Sequence, residues 1–132
     1  MSVKKLSLYI FLVLIFYNVA NAKDFKGTKL LCSFDYEGDV GIVSYGLEFI
    51  TSKKAKEYSE GDWEVSIRKL KYHVKPDRID LEEGRDFGES VLWRESLQYV
   101  PYGLIDHNYD CQMKIEEFSF QDYFQNRFLK IS

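Results

Sequence analysis

The chain contains few of the residues and none of the compact motifs on which common enzymes depend. Its 132 residues include only two histidines, two cysteines and two prolines. His73 and His107 do not form the H-x-x-x-H or H-E-x-x-H spacing of metalloenzymes, and the chain has neither a G-x-S-x-G motif nor a glycine-rich phosphate loop. The acidic pairs Glu82-Glu83 and Glu116-Glu117 are adjacent, so on a strand the two members point to opposite faces. The sequence therefore predicts a non-catalytic protein, with a hydrolase that uses dispersed carboxylates as an alternative.

The chain also lacks an apolar run of the roughly 20 residues that a membrane-spanning helix needs. What it has is shorter: Leu6–Val19 is apolar except for Ser7 and Asn18, and it follows Lys4 and Lys5. Ala20-Asn21-Ala22 then places small residues where a signal peptidase cleaves. We therefore predict a secretory signal peptide over residues 1–22, cleaved before Lys23. Residues 23–132 are then a single periplasmic or secreted domain with no stable membrane anchor after cleavage.

Basic residues are in deficit. Taking Lys4 and Lys5 from the 18 basic residues leaves 16 against 21 acidic ones, a net charge of −5 for the exported part. Such a domain repels phosphate backbones, and no Lys/Arg cluster alternates with aromatic residues along the sequence. We therefore expect no nucleic-acid partner and no adsorption to anionic lipid.

The two cysteines, Cys32 and Cys111, are the expected staple of the domain. An even cysteine count in an exported chain predicts a disulfide. A metal thiolate pair and a reactive thiol are the alternatives, although no C-x-x-C spacing supports a metal site. Closing a loop of 79 residues would stabilise the fold by roughly 4–5 kcal/mol in the chain-entropy model.

Short strands dominate the predicted structure. They are separated by turn residues and follow one another at short spacing, which favours a mainly β fold, a small antiparallel β-sandwich or β-barrel of about six to eight strands. Thr51–Asp62 is polar and predicts a loop. Trp63 is expected to pack on the core, and the change of apolar phase after Ile67 predicts a β-bulge near Arg68-Lys69. Residues 118–130 predict a C-terminal helix, with a continued strand as the alternative.

One segment resembles an EF-hand calcium loop over 13 residues. Asp106, Asn108 and Asp110 occupy loop positions one, three and five, and Glu117 occupies position twelve. The resemblance departs at position six, where Cys111 replaces the turn glycine, and at position nine, where Lys114 places a cation. These four oxygen donors form a speculative calcium site, and the alternative is a polar loop that leads into a strand.

Most of the exported part resembles short exported bacterial β proteins of unknown function. The resemblance depends on the signal peptide, on Cys32 and Tyr109-Asp110-Cys111, and on the segments Tyr72–Leu81 and Leu92–Leu97. The layout is also similar, more distantly, to periplasmic c-type lysozyme inhibitors, whose loops place a serine and a lysine in the enzyme cleft; Ser44 is a weak counterpart here. The first resemblance implies a fold and a compartment, and the second implies inhibition of a lysozyme.

Taken together, these features predict a non-catalytic binding module for a protein, a glycan or a small ligand. Its aromatic content, with ten tyrosines, ten phenylalanines and two tryptophans, supplies side chains for a core and for a ligand pocket of unknown position. The alternatives are a lysozyme-inhibitor-like protein, a calcium-stabilised structural domain and a carboxylate-dependent hydrolase. No cofactor is expected apart from the speculative calcium ion.

Overall fold

The structure is a computed structural model that describes residues 25–84, 89–104 and 107–131. The predicted signal peptide lies outside the described residues. Among the described residues, no helix has the length and apolar character needed to cross a lipid bilayer. The described elements are β1 (Lys29–Asp35), β2 (Ile42–Phe49), β3 (Lys54–Glu60), β4 (Val65–Val74), β5 (Arg78–Glu82), β6 (Glu89–Trp93), β7 (Gln98–Val100), β8 (Tyr109–Lys114) and helix α1 (Phe120–Ile131).

The eight strands form one closed antiparallel barrel. Each strand pairs with its neighbour in the sequence, and β8 returns to pair with β1, so that Leu30 lies opposite Met113. The mainly β prediction is therefore confirmed, and the architecture is the barrel rather than the sandwich. Because consecutive strands run in opposite directions, successive connections lie at alternate ends of the barrel. The β3–β4 turn consequently lies at the opposite end from the β2–β3 connection.

The barrel interior is filled by side chains from all eight strands. Strand residues alternate between the two faces, and the inward-facing ones form the main core. Phe49 and Tyr72 pack edge to face with ring centroids 4.8 Å apart, and Tyr45 packs in the same way on Tyr109 at 5.1 Å. An eight-stranded barrel is just wide enough to be filled in this way. The large aromatic content therefore supplies mainly the core.

The disulfide joins the first and last strands of the barrel. Cys32 on β1 and Cys111 on β8 are directly opposite one another in the β1–β8 register, and their sulfur atoms are 2.02 Å apart. The predicted Cys32–Cys111 bond is therefore confirmed. Because β1 and β8 are the pair that closes the barrel, the bond crosses its closing seam.

Helix α1 packs on the outside of the barrel and confirms the predicted C-terminal helix. Ser119 caps its start, since its hydroxyl accepts a hydrogen bond from the Asp122 amide at 3.2 Å. Phe120 and Phe124 are buried against Leu31 and Tyr58 on the outer face of the sheet. The helix thus creates a second, smaller core on a face that would otherwise be open to solvent.

Gly46 makes this docking possible. A β-carbon built on Gly46 would lie 2.4 Å from Cδ1 of Phe120, which is closer than real side chains approach. The pairing of Gly46 with Leu31 and Tyr58 is regular on both sides. A glycine within an apolar segment predicts a bend or bulge at Gly46, and the regular pairing shows that this prediction is wrong. The role of Gly46 is to admit the Phe120 ring.

We expect Gly46→Ala to lower the free energy of unfolding by about 1–3 kcal/mol, because the new methyl group collides with the Phe120 ring. Urea denaturation measures this loss. In the background of Phe120→Ala, which removes the ring, the same glycine substitution should cost less than about 0.5 kcal/mol. Equal losses in the two backgrounds would show that the helix does not dock at Gly46.

Two further expectations about the β3–β4 hairpin were wrong. Residues 54–60 form strand β3 rather than part of a loop, and β4 pairs with β3 from Val65 to Lys71 without a bulge at Arg68-Lys69. The change of apolar phase arises because Val65 faces outward and packs against the outer core beneath α1, whereas Leu70 and Tyr72 face the barrel interior. Both faces of this strand bury apolar groups, one in each core.

Candidate functional site

Among the described residues, the most exposed large hydrophobic side chain lies at the tip of the β3–β4 hairpin. Trp63 is 91% exposed, and its backbone has a positive φ of 74°. The turn is closed by a hydrogen bond from the Gly61 amide to the Glu64 carbonyl at 2.9 Å. A left-handed conformation is costly for a bulky residue, and exposed indole gains nothing from the core. The prediction that Trp63 packs on the core was therefore wrong.

The neighbours of Trp63 give the tip a negative charge. Asp62 and Glu64 are both exposed on either side of it. Glu60, at the end of β3, is held by an ion pair with Arg127 of helix α1 at 2.8 Å. Arg127 also donates a hydrogen bond to the Ile42 carbonyl at 2.7 Å. The ion pair thus anchors the hairpin to the helix close to its tip. The tip itself presents the Trp63 indole between the exposed carboxylates of Asp62 and Glu64.

Substitution of Trp63 by asparagine is expected to raise the free energy of unfolding by about 1 kcal/mol. Asparagine adopts the left-handed conformation more readily, and no buried contact of the indole is lost. Thermal and urea denaturation measure the change. Trp93→Asn at the second tryptophan, which lies in regular β6 and is 39% exposed, is the control and should not stabilise. A loss of stability in the Trp63 variant would mean that the indole packs on the fold.

A charged group lies inside the barrel. Glu57 on β3 is only 1% exposed, accepts a hydrogen bond from the Tyr99 hydroxyl and is paired with Arg68 at 3.2 Å. Arg68 also pairs with Glu83 at 3.1 Å, nearer the surface. Burial raises the pKa of Glu57, although Tyr99 and Arg68 oppose the shift. Burial also raises the pKa of Tyr99, and the Glu57 charge adds to that effect.

This interior group was not found from the sequence, since its three members come from β3, β4 and β7. In chemical terms it is a buried ion pair whose polar atoms have partners within the protein. Glu57 is 1% exposed and lines neither of the two cavities described below. The hydrolase hypothesis gains no site from it and stays a prediction.

The residues of the proposed calcium loop are only partly placed. Asp106 lies outside the described residues, and Asn108 and Glu117 are exposed. Asp110 is on β8, where its carboxylate accepts a hydrogen bond from the Gln98 amide at 3.0 Å. Within residues 25–84, 89–104 and 107–131, no three histidine, cysteine or acidic side chains come together as metal ligands. The calcium site stays a prediction.

The side chains proposed for ligand contacts have structural partners. Ser44 is 1% exposed, and its Oγ atom lies 2.7 Å from Oγ of Ser33, with which it forms a hydrogen bond. The Ser44 hydroxyl also accepts a hydrogen bond from Arg127. It is therefore not presented to an enzyme cleft. Trp93-Arg94 is an aromatic–cation pair of the kind that can line a ligand mouth. In the structure, Arg94 donates a hydrogen bond to the Lys75 carbonyl at 2.6 Å. It also lies 5.9 Å from the Phe25 ring centroid.

Two shallow cavities open on the outer side of the β3–β4 hairpin, near the end opposite Trp63. The first has a volume of about 400 Å³ and the second of about 410 Å³, and Lys54 and Lys71 line both. Ile50, which is 37% exposed, supplies an apolar side chain to the first cavity, whereas the side chains of Ala55 and Leu70 belong to the barrel core beneath it. These cavities are one candidate for the ligand pocket whose position the sequence left unknown.

Comparison of the chain with protein-family models, curated proteins and solved structures finds no match.

Proposed function

We propose that this protein is an exported, non-catalytic binding module that engages a protein partner through the tip of its β3–β4 hairpin. The observation that carries the proposal is Trp63, an indole that is 91% exposed on a left-handed backbone. Tryptophan is strongly enriched among the few residues that dominate the free energy of protein–protein binding. Trp63 strains the turn and contributes no contact to the core. A contact with another molecule best explains why a tryptophan occupies this position.

The charge around the indole specifies the partner. Asp62 and Glu64 flank Trp63, so the complementary surface is an apolar slot with basic residues at its rim. The anchoring of Glu60 by Arg127 holds the hairpin in place before binding, which reduces the conformational entropy lost in the complex. The tip is therefore preorganised to insert into a cleft.

Export is supported by the predicted signal peptide at residues 1–22 and by the disulfide. Disulfides form and persist in the periplasm and outside the cell and are rare in the cytosol. The partner is accordingly sought among periplasmic or secreted proteins.

The experiment compares capture by four forms of the exported domain: wild type, Trp63→Ala, Trp93→Ala and the charge reversal Asp62→Lys/Glu64→Lys. Proteins retained from a periplasmic and secreted fraction are quantified by mass spectrometry, and each candidate is then purified and its Kd measured. The true partner binds wild type and Trp93→Ala equally. Its Kd rises about 30-fold or more with Trp63→Ala, since loss of a hot-spot tryptophan costs at least about 2 kcal/mol.

The charge reversal should weaken binding to the same partner, because lysines would then face its basic rim, and added salt should strengthen this binding whereas it weakens that of wild type. Thermal melts of all four forms establish that each is folded. If every retained protein binds Trp63→Ala as tightly as wild type, the hairpin tip is not the binding surface and the proposal is wrong.

A further inference from the structure

Four lysines form a block on the outer face of the β3–β4 hairpin, which we term the lysine face: Lys54, Lys56, Lys69 and Lys71. The strand register places Lys54 directly opposite Lys71 and Lys56 directly opposite Lys69. Like charges directly opposite one another destabilise a sheet. The lysine face is therefore a cost to the fold, and it stands on a chain whose overall charge is −3.

The nearby carboxylates form no ion pair with this block. Glu48, the other cross-strand neighbour of Lys56, pairs with Lys29 at 3.6 Å, and Glu82, the other cross-strand neighbour of Lys71, has its Oε1 atom 3.6 Å from Nε2 of His73. Glu83, which lines the first cavity, pairs with Arg68. Among the described residues, none of the four lysines of the face forms an ion pair.

Protection of a strand edge does not explain the lysines. Exposed lysines commonly prevent edge strands from pairing with other chains. Here β3 is paired with β2 and β4, and β4 with β3 and β5, within a closed barrel. The repulsion therefore has no evident structural benefit.

The geometry fits a small anion with several negative charges. Residues opposite one another on paired antiparallel strands have Cα atoms about 5 Å apart, and residues two apart along a strand are about 7 Å apart. Lysine side chains are long enough for four ammonium groups above so small a rectangle to reach one phosphate or diphosphate. The cavity of about 400 Å³ lies within the range of small-molecule sites, and Ile50, which is 37% exposed, is the apolar side chain that lines it on the outer face.

We propose that the lysine face is a binding site for a small, soluble phosphorylated molecule with an apolar or aromatic body. The phosphate is held by the four ammonium groups, and the body lies against the side chain of Ile50. This site is separate from the hairpin tip, since Lys54 begins β3 and Trp63 follows its end. It does not depend on the protein partner proposed above.

Isothermal titration calorimetry with phenyl phosphate and with inorganic phosphate tests the site. Wild type should bind both, and phenyl phosphate more tightly. We expect Lys54→Gln/Lys71→Gln to raise both dissociation constants by about tenfold or more, because two charge-assisted contacts are lost. Ile50→Ser should remove the preference for phenyl phosphate and leave the affinity for inorganic phosphate unchanged. Lys114→Gln, on β8, is the matched control and should bind as wild type does.

Stability provides a second readout. Without ligand, Lys54→Gln/Lys71→Gln should melt at a higher temperature than wild type, since one repulsive cross-strand pair is removed. Phenyl phosphate should raise the melting temperature of wild type by several degrees and leave that of the double variant nearly unchanged. Lys56→Gln/Lys69→Gln repeats the test on the second lysine pair.

Equal affinity of wild type and both double variants for phenyl phosphate would overturn the proposal. Sedimentation with phosphatidylglycerol vesicles separates the soluble ligand from a lipid headgroup. The protein should stay in the supernatant. Lysine-dependent sedimentation would instead assign the face to a membrane and overturn the soluble ligand.

Discussion

Alanine at both Cys32 and Cys111 is expected to lower the free energy of unfolding by about 2–5 kcal/mol, one of the two largest losses expected for this protein. The bond joins residues that are 79 positions apart, so its removal restores much conformational freedom to the unfolded chain. It also links the two strands that close the barrel. The pairing of β1 with β8 should therefore be weakened locally, in addition to the loss of global stability.

Urea denaturation with and without dithiothreitol checks this result. Wild type should lose stability on reduction, and the double variant should be insensitive to the reductant. Hydrogen exchange should show that the amides of β1 and β8 lose protection more than those of β3 and β4. If the oxidised protein and the double variant unfold at urea concentrations that agree within error, the disulfide is not a stabilising staple.

How much of this fold the sequence predicts depends on whether apolar residues alone mark an element. The apolar and aromatic segments Thr28–Tyr36 and Val40–Ile50 predict two strands, and β1 and β2 lie within them, with apolar and aromatic side chains on their inward faces. Helix α1 was predicted from Phe120 and Phe124, which recur at helical spacing. The Cys32–Cys111 pair was predicted from the cysteine count together with the expected export. The strands and the helix are encoded by local residue patterns. The disulfide follows because two cysteines allow only one pairing.

Strand β3 was missed because what makes it a strand lies elsewhere in the chain. Its sequence, KAKEYSE, places Glu57 inside the barrel, where Arg68 of β4 and Tyr99 of β7 satisfy the carboxylate. Tyr58 faces outward and stacks on Phe120 of the helix with ring centroids 5.1 Å apart. Neither partner is visible within the segment, so its polarity suggested a loop.

The candidate surfaces were missed for the same reason. The lysines of the lysine face occur as two short groups about 15 residues apart, and only the β3–β4 register brings them together. The exposure of Trp63 depends on the turn at Gly61–Glu64, whereas its neighbours in sequence suggested a core strand. The clustering of the lysines and the exposure of Trp63 both depend on how strands pair. The pattern of apolar residues along the sequence does not show that pairing.

Both proposed surfaces belong to one hairpin, at its two ends. Helix α1 also packs against the β3–β4 hairpin, and the hairpin carries the interior ion pair between Glu57 and Arg68. Its rigidity therefore depends on groups inside the barrel as well as on the helix outside it. Glu57 is the residue through which this dependence is best tested.

Glu57→Ala is expected to lower the free energy of unfolding by about 3 kcal/mol or more at neutral pH. The substitution removes the buried partner of Arg68, which keeps only Glu83 near the surface, and it leaves the buried Tyr99 hydroxyl without its acceptor. Glu83→Ala is the matched control, since it removes a carboxylate from the same arginine at an exposed position. That substitution should cost no more than about 1 kcal/mol. Equal losses for the two variants would show that the interior pair contributes nothing beyond a surface contact.

The pH dependence of stability follows from the direction of the Glu57 shift. Burial raises its pKa in the folded protein above the unfolded value, which is about 4.3. The folded state then binds the proton more tightly than the unfolded state does. The stability that this provides is present below the unfolded pKa and is lost as the pH rises through the folded pKa.

Glu57→Gln removes this titration and retains an acceptor for Tyr99, so the wild-type stability measured relative to this variant should fall as the pH rises from about 4 to 7. Urea denaturation of the two proteins across that range provides the difference directly, and other titrating groups cancel in it. A difference that instead grows with pH would mean that Arg68 lowers the pKa of Glu57 below its unfolded value. The ion pair would then outweigh the cost of burying the carboxylate, and the interior of the barrel would favour the charged form.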